Sequence, residues 1–366
     1  MFLDVLLWLS FLYAIQMLAF ALGTWFARYS SNRAYQPSVS VIIAARNEED
    51  NISRCLTSMC ALRYPKEKLD ILVIDDRSTD GTAAIVRQFS ATNPTIRLIV
   101  AQPESGQLRG KTNAVTQGIE ASSGEIIMFT DADCEVQPGW VEETVKYYQD
   151  DSVGLVAGFT ELRARTLFER MQALDWFLLL SVAAAGIRLG FPFTVIGNNL
   201  SVRRKAYDAF GGYRKIPFSV TEDYALFHAI ATQTEYIPRF PLDNKNLILS
   251  GPCSSWRELY HQKRRWFTGG RDMEFRHLAL FAVTYLYSLL LVAAVPVMWI
   301  EGQWLPLLIK VVSDFLLLVP TLASFRRWKL LTGFLYLEIY FTLYVLIFPP
   351  IVLSRRYVVW KDRSFT

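Results

Sequence analysis

The stretch "GEIIMFTDADCEV" (residues 124–136) decides how this chain is read. Its first half is a run of strand-forming apolar residues. The run closes on two carboxylates one position apart, Asp131 and Asp133. Residues two apart on a strand point to the same side, so extended geometry through Ala132 makes the pair converge. Converging carboxylates raise one another's pKa or share a cation. Oxygen donors at this spacing suit Mg2+ or Mn2+, which take few protein carboxylates and complete their shell with substrate phosphates. A capped turn gives the same tripeptide, so the surrounding sequence must separate the two readings.

Around this stretch, strand-like and helix-like segments alternate. Strands are predicted at 38–44, 69–75, 95–101, 124–131 and 153–159, and helices at 48–62, 79–91, 111–122 and 139–149. Short links between them argue for an α/β fold with a mostly parallel, Rossmann-like sheet covered by helices on both faces. Ligands of such sheets bind beyond the carboxyl ends of the strands. The acidic motifs stand there: Asp75-Asp76 closes one strand and Asp131-Ala132-Asp133 another.

The chain has 366 residues, a net charge of +4, 52% hydrophobic residues and 14% aromatics, which excludes a disordered chain. Residues 5–26 carry no charge, and about 20 apolar residues suffice to cross a bilayer. The run ends in Trp25 and Phe26 rather than small cleavage-site residues, so residues 1–27 read as a retained anchor. Further candidate spans are 278–299, 303–323 and 331–353, followed by a tail at 354–366. Lys310 and Asp314 inside the third span are four apart and share a helix face, where they can pair. Basic residues flank the central domain (36–275), so it is expected on the cytoplasmic face of the cell membrane. The basic tail favours a last segment that is re-entrant or interfacial, broken at Pro349-Pro350. The apolar segment 167–193 reads either as a buried helix or as one lying in the membrane interface, and its place beside the membrane flanks favours the interface. The cysteines (Cys55, Cys60, Cys134, Cys253) and histidines show no metal or disulfide spacing.

Five stretches fall in a fixed order: "VSVIIAARNEEDNI" (39–52), "VIDDRSTDGT" (73–82), "TDADC" (130–134), "VTEDYALFHAI" (220–230) and "HQKRRWFTGG" (261–270). Together they resemble the family 2 glycosyltransferases of GT-A type, in the membrane-bound branch with D, D-x-D, E-D and Q-x-x-R-W motifs. That branch includes ceramide glucosyltransferases and the cellulose and hyaluronan synthases. The resemblance covers about residues 38–270. It implies a UDP-sugar donor, with Asp76 on the uracil and the turn Ala45–Glu48 packed on the nucleoside. It also implies Mg2+ or Mn2+ on Asp133, with Asp131 on the metal or the ribose. Asn198 and Asn199 in "TVIGNNLSVRRKAYDAFGGYR" (194–214) resemble acceptor-side residues.

The physical reading runs beside it. Asp75 and Asp76 end a strand where a base and ribose need hydrogen-bond acceptors, and can also build an Asx turn. Lys111 heads a helix, where its charge and the helix N-terminus can meet a phosphate. Asp223 is the candidate base for an acceptor hydroxyl, with Glu222 beside it in an acidic first turn. Gln262, Arg265 and Trp266 offer a guanidinium for the departing diphosphate and a flat face for a sugar or lipid head. Lys263 and Arg264 are expected to touch lipid headgroups.

Other classes compete. "GQLRGKT" (106–112) is one residue short of a P-loop between its glycines, which disfavours an ATPase. A non-enzymatic scaffold has no need of Asp133 and Asp223. Three or four spans are few for threading a polymer, so a lipid hydroxyl is favoured over a polysaccharide as acceptor, in line with the tail "VVWKDRSF" (358–365), which resembles endings of carotenoid- and ceramide-type transferases, with Asp362 where those carry glycine. No nucleic-acid partner is expected.

Overall fold

The computed structural model describes residues 2–27, 29, 35–269, 275–354, 358–360 and 363–365. After α1 (Phe2–Trp25) come β1 (Val39–Ala45), α2 (Ile52–Cys60), β2 (Leu69–Asp75), α3 (Thr82–Thr92), β3 (Ile96–Val100), α4 (Gly110–Glu120), β4 (Ile126–Asp131), α5 (Trp140–Val145) and β5 (Val153–Ala157). The middle of the chain adds β6 (Thr160–Leu162), α6 (Leu167–Arg188), β7 (Leu200–Arg203), α7 (Arg204–Ala209), α8 (Glu222–Gln233), β8 (Ile237–Arg239), β9 (Ile248–Ser250) and α9 (Trp256–Gly269). Last are α10 (Phe275–Glu301), α11 (Leu305–Phe325), a 3-10 segment Trp328–Gly333 that runs into α12 (Phe334–Ser354), and a hairpin of β10 (Val358–Trp360) and β11 (Arg363–Phe365).

Seven strands form one sheet in the order β3-β2-β1-β4-β7-β5-β8. β1 runs parallel to β2 and β4, and only β7 is antiparallel to its neighbours within that sheet. β1, β2 and β4 are buried almost throughout, because helices cover both faces; that is why they read as unbroken apolar runs. Register then places the chemistry. Ala45 pairs with Asp75 and Ala44 with Asp131, so the Asp75-Asp76 and Asp131-Ala132-Asp133 motifs end side by side on one sheet edge. β7 was not anticipated: it lies inside the segment 194–214, and its partners are more than forty residues away.

One sheet face packs on Ile52, Leu56, Trp140 and Val141 of α2 and α5. The other joins α4 and α6, and that core continues into Tyr13, Met17, Leu291 and Leu317 of the terminal helices. Five helices among the described residues are long and apolar enough to cross a membrane: α1, α6, and the helices at 280–301, 305–325 and 328–347.

Two expectations change. Residues 167–193 do not present an apolar face to lipid: α6 is enclosed by α1, α11, α12 and the 3-10 segment, with Met171 to Gly186 buried almost without a gap. The charge of Asp175 suits an interface, but it is paired inside the protein with Lys263. The last helix is not broken at Pro349-Pro350 but runs through both prolines to Ser354. Arg33, Arg271 and Lys361 of the topology and tail arguments lie outside the described residues.

Candidate active site

β4 delivers Asp131 and Asp133 into a cleft of about 970 Å3, counting its open mouth. Lys111, Asn198, Glu222, Asp223, Gln262, Arg265 and Trp266 line the same cleft, so nine of the expected residues converge there. Asp131 already has a cation. Lys111 Nζ donates to its Oδ1 at 2.7 Å and to Glu222 Oε1 at 2.8 Å, bracing the end of β4 against the start of α8. Burial alone would lower the Lys111 pKa, but Asp131 and Glu222 hold it above the usual value, so it stays charged. Lys111 thus spends its charge on two carboxylates, and the first amide of α4, Gly110 N–H, donates to Glu104 Oε1 at 3.0 Å.

Asp133 is different. Its partners are weak, a Ser250 hydroxyl at 3.4 Å and the Cys134 thiol at 3.5 Å, and it has no ion pair among the described residues. Burial, then the charges of Asp131 and Glu48, pushes its pKa up to about 6. A carboxylate crowded by like charge and short of a cation fits a divalent ion. Among the described residues no group of three or more His, Cys, Asp or Glu side chains could hold one alone, so substrate oxygens would have to complete its shell.

Ala45, Glu48, Asp75 and Asp76 do not line this cleft but stand beside it along the sheet edge. The loops after β1 and β2 are stitched together: Arg46 donates to Asp76 O at 2.8 Å, Thr79 N–H to Asn47 Oδ1 at 2.9 Å, and Glu48 N–H to Thr82 Oγ1 at 2.8 Å. Asp75 Oδ1 accepts from Ser78 N–H at 3.1 Å, three residues on rather than the two of the expected Asx turn.

Asp223 opens α8. Its enclosure in the cleft, then the Glu222 charge, raises its pKa to about 6, while Lys111 pulls the other way. Gly197 packs against it so closely that a Cβ there would lie 3.0 Å from Asp223 Cβ and 3.1 Å from Oδ2. Asn198 lines the cleft and accepts from Thr160 Oγ1 at 2.8 Å. Asn199 does not reach it. Its amide is spent on Trp140 Nε1 and on the carbonyls of Phe159 and Asn246, a structural role.

α9 carries Gln262, Arg265 and Trp266 into the cleft. Lys263 and Arg264, expected among lipid headgroups, are instead buried. Lys263 donates to Asp175 of α6 and lies over the Trp266 ring at 4.5 Å. The basic run "KRR" looks like a juxtamembrane cluster, but α9 turns two of its three charges inward. Trp176, Arg109 and Phe218 also line the cleft and were missed. The available signal for Trp176 was an aromatic beside the acid Asp175 in a helix already suspected of burial.

Residues 126–352 match the family described as "Glycosyl transferase family group 2", more than half of the chain, and residues 40–211 match "Glycosyl transferase family 2". The chain belongs to the family 2 glycosyl transferases. It is 29% identical over 267 residues to a beta-monoglucosyldiacylglycerol synthase of Nostoc sp., covering 68% of this chain and 53% of the relative. It is 26% identical over 288 residues to a poly-beta-1,6-N-acetyl-D-glucosamine synthase of Staphylococcus aureus, covering 75% of this chain and 66% of the relative. The chain therefore spans less than two thirds of either relative's own length. Among solved structures, the mannosyltransferase PcManGT from Pyrobaculum calidifontis, in complex with GDP-Man and Mn2+, has the same fold: TM-score 0.61 at 21% identity, covering 88% of this chain and 99% of that one. The mostly parallel sheet is thus of the GT-A kind.

Proposed function

We propose that this family member is an inverting hexosyltransferase that moves a sugar, glucose in the first instance, from a UDP-sugar to the hydroxyl of a membrane lipid at the cytoplasmic face of the cell membrane. The observation that carries the proposal is one cleft holding both an under-compensated carboxylate, Asp133, and a second carboxylate with a raised pKa, Asp223, on opposite elements. Asp133 and Asp131 are the residues to hold Mn2+ or Mg2+, which when bound would neutralise the donor diphosphate. Asp75, Asp76 and the Ala45–Glu48 turn, on the adjoining sheet edge, would take the nucleoside. Asp223 would accept the proton of the attacking hydroxyl; a carboxylate tuned toward neutral pH suits a general base. Arg265 would stabilise the charge that builds on the leaving diphosphate. Lys111 would keep Asp131 and Glu222 in place rather than carry a phosphate alone.

The lipid acceptor rests on the joint core of sheet and apolar helices, which brings the cleft up to the membrane helices, and agrees with the diacylglycerol named for the Nostoc relative. The relative named for a polymer keeps a second reading open, in which the product is a polysaccharide. One experiment tests both. The purified protein is incubated with labelled UDP-glucose, UDP-galactose, UDP-N-acetylglucosamine or GDP-mannose and total membrane lipid, and the products are partitioned and weighed by mass spectrometry. A labelled lipid of one added hexose is expected; a long water-soluble polymer would replace the lipid reading.

A further inference from the structure

Asp131 and Glu222 share one cation. Lys111 Nζ lies 2.7 Å from Asp131 Oδ1 and 2.8 Å from Glu222 Oε1, and neither carboxylate has another ion pair among the described residues. Two more carboxylates, Asp133 and Asp223, line the same cleft. Arg109 and Arg265 line it too, yet neither forms an ion pair among the described residues.

The ammonium stands on a fixed base. Lys111 is the second residue of α4, and Thr112 to Thr116 behind it are all buried. α4 lies so close to the sheet that a Cβ on Gly118 would stand 2.7 Å from Ile42 Cγ2 and 3.0 Å from Ile74 Cγ1. The helix is held by that packing, so only the Lys111 side chain is free to leave Asp131.

An oxygen that already accepts from an ammonium is a poor ligand for a dication, because the two positive charges meet at close range. Asp133 alone is a single carboxylate, and no fuller set of His, Cys, Asp or Glu side chains stands among the described residues. A nucleoside diphosphate changes this balance: its oxygens complete the ion's shell and its negative charge offsets both cations.

We infer that Lys111 is a stand-in for the divalent ion at Asp131 and yields that carboxylate to Mn2+ or Mg2+ only when a donor diphosphate is present. Its second bond, to Glu222, holds the first turn of α8 in place while Asp131 changes partner. The inference rests on the metal assignment within the transfer reading above and adds what regulates that site.

The test reads binding rather than turnover. Purified full-length protein in dodecyl maltoside is titrated with Mn2+, and free Mn2+ is followed by its electron paramagnetic resonance signal. Titrations are run without nucleotide and with saturating UDP or GDP, with Mn2+ and nucleotide alone as the reference. The wild type is expected to bind Mn2+ about tenfold or more tightly with nucleotide than without, within the usual range for coupled sites. Lys111→Gln leaves Asp131 without its ammonium and should tighten nucleotide-free Mn2+ binding about tenfold. Arg109→Gln removes the same charge from the same cleft without touching Asp131; Arg109 is exposed and screened, so the change should stay below about twofold. Circular dichroism reports whether each variant keeps the fold, and the wild-type comparison stands without them. Wild-type protein that binds Mn2+ equally well with and without nucleotide overturns the inference, and leaves the transfer reading intact if turnover still needs the ion. Equal tightening by Lys111→Gln and Arg109→Gln also overturns it, because net charge alone then explains the rise. No Mn2+ binding under any condition sinks the metal assignment itself, and the inference with it.

Discussion

At the scale of the residue, the site turns on two carboxylates that are short of compensation. Asp223 is raised to about 6, first by its enclosure and then by Glu222, with Lys111 opposing. A base works only when deprotonated. Turnover should therefore be flat above about pH 6 and fall as pH drops through that value. Asp223→Asn should lower kcat by about 10^2–10^4, with UDP-sugar binding retained; near wild-type transfer by this variant would reassign the base. Asp133 makes a separate claim. Chelation with EDTA should stop turnover and Mn2+ or Mg2+ restore it, while Asp133→Ala should raise the metal concentration needed for half-maximal rate at least tenfold. Activity unaffected by chelator would remove the metal from the mechanism. Both acids were legible in the sequence because motif order singles them out. The partner of Asp131 was not: Lys111 was read as a phosphate ligand, since nothing local says that Glu222, far along the chain, closes a brace on it.

At the scale of the element, buried parallel strands were the easiest to read. β2 spans Leu69–Asp75, the predicted 69–75, because a strand covered on both faces is apolar throughout. β7 escaped, being four residues long and ending in Arg203, whose guanidinium is buried on the carbonyls of Val153 and Tyr148. α11 shows the same division. The Lys310–Asp314 pair follows from four-residue spacing and is formed at 2.8 Å. Its third and fourth members come from elsewhere: Glu338 of α12 accepts from Lys310 at 2.7 Å, and Tyr13 of α1 donates to Asp314 at 2.5 Å. Three helices are thus tied by one buried network. Lys310→Met leaves two buried carboxylates uncompensated and should cost about 3–5 kcal/mol, read as a drop in the melting midpoint in detergent. Changing Asp314 and Glu338 to Leu together with Lys310→Met should recover most of that loss. An unaltered midpoint for the single variant would mean that the network carries no stability.

At the scale of the whole molecule, the N-terminal helix is more than a tether. The sequence presented α1 as an anchor preceding a separate catalytic domain, since an uncharged run carries no record of what it packs against. In the fold, α1 lies along α6, the helix that carries Trp176 to the cleft. Thr24 donates to Ser181 O at 2.7 Å, and Gly23 approaches so closely that a Cβ there would stand 2.9 Å from Ala185 Cβ. Small residues let two helices come this near, and a larger one must push them apart. Gly23→Leu should therefore shift α6, and with it Trp176 and the Asp175–Lys263 bond that backs Trp266. Membrane insertion should survive, because the substitution makes α1 more apolar. The expected phenotype is a protein that still fractionates with membranes and still binds UDP-sugar through the distant β1–β2 edge, yet transfers at least tenfold more slowly in detergent, where tethering is irrelevant. If the variant instead keeps full activity in detergent, α1 acts as an anchor alone and the site does not depend on how it packs on α6.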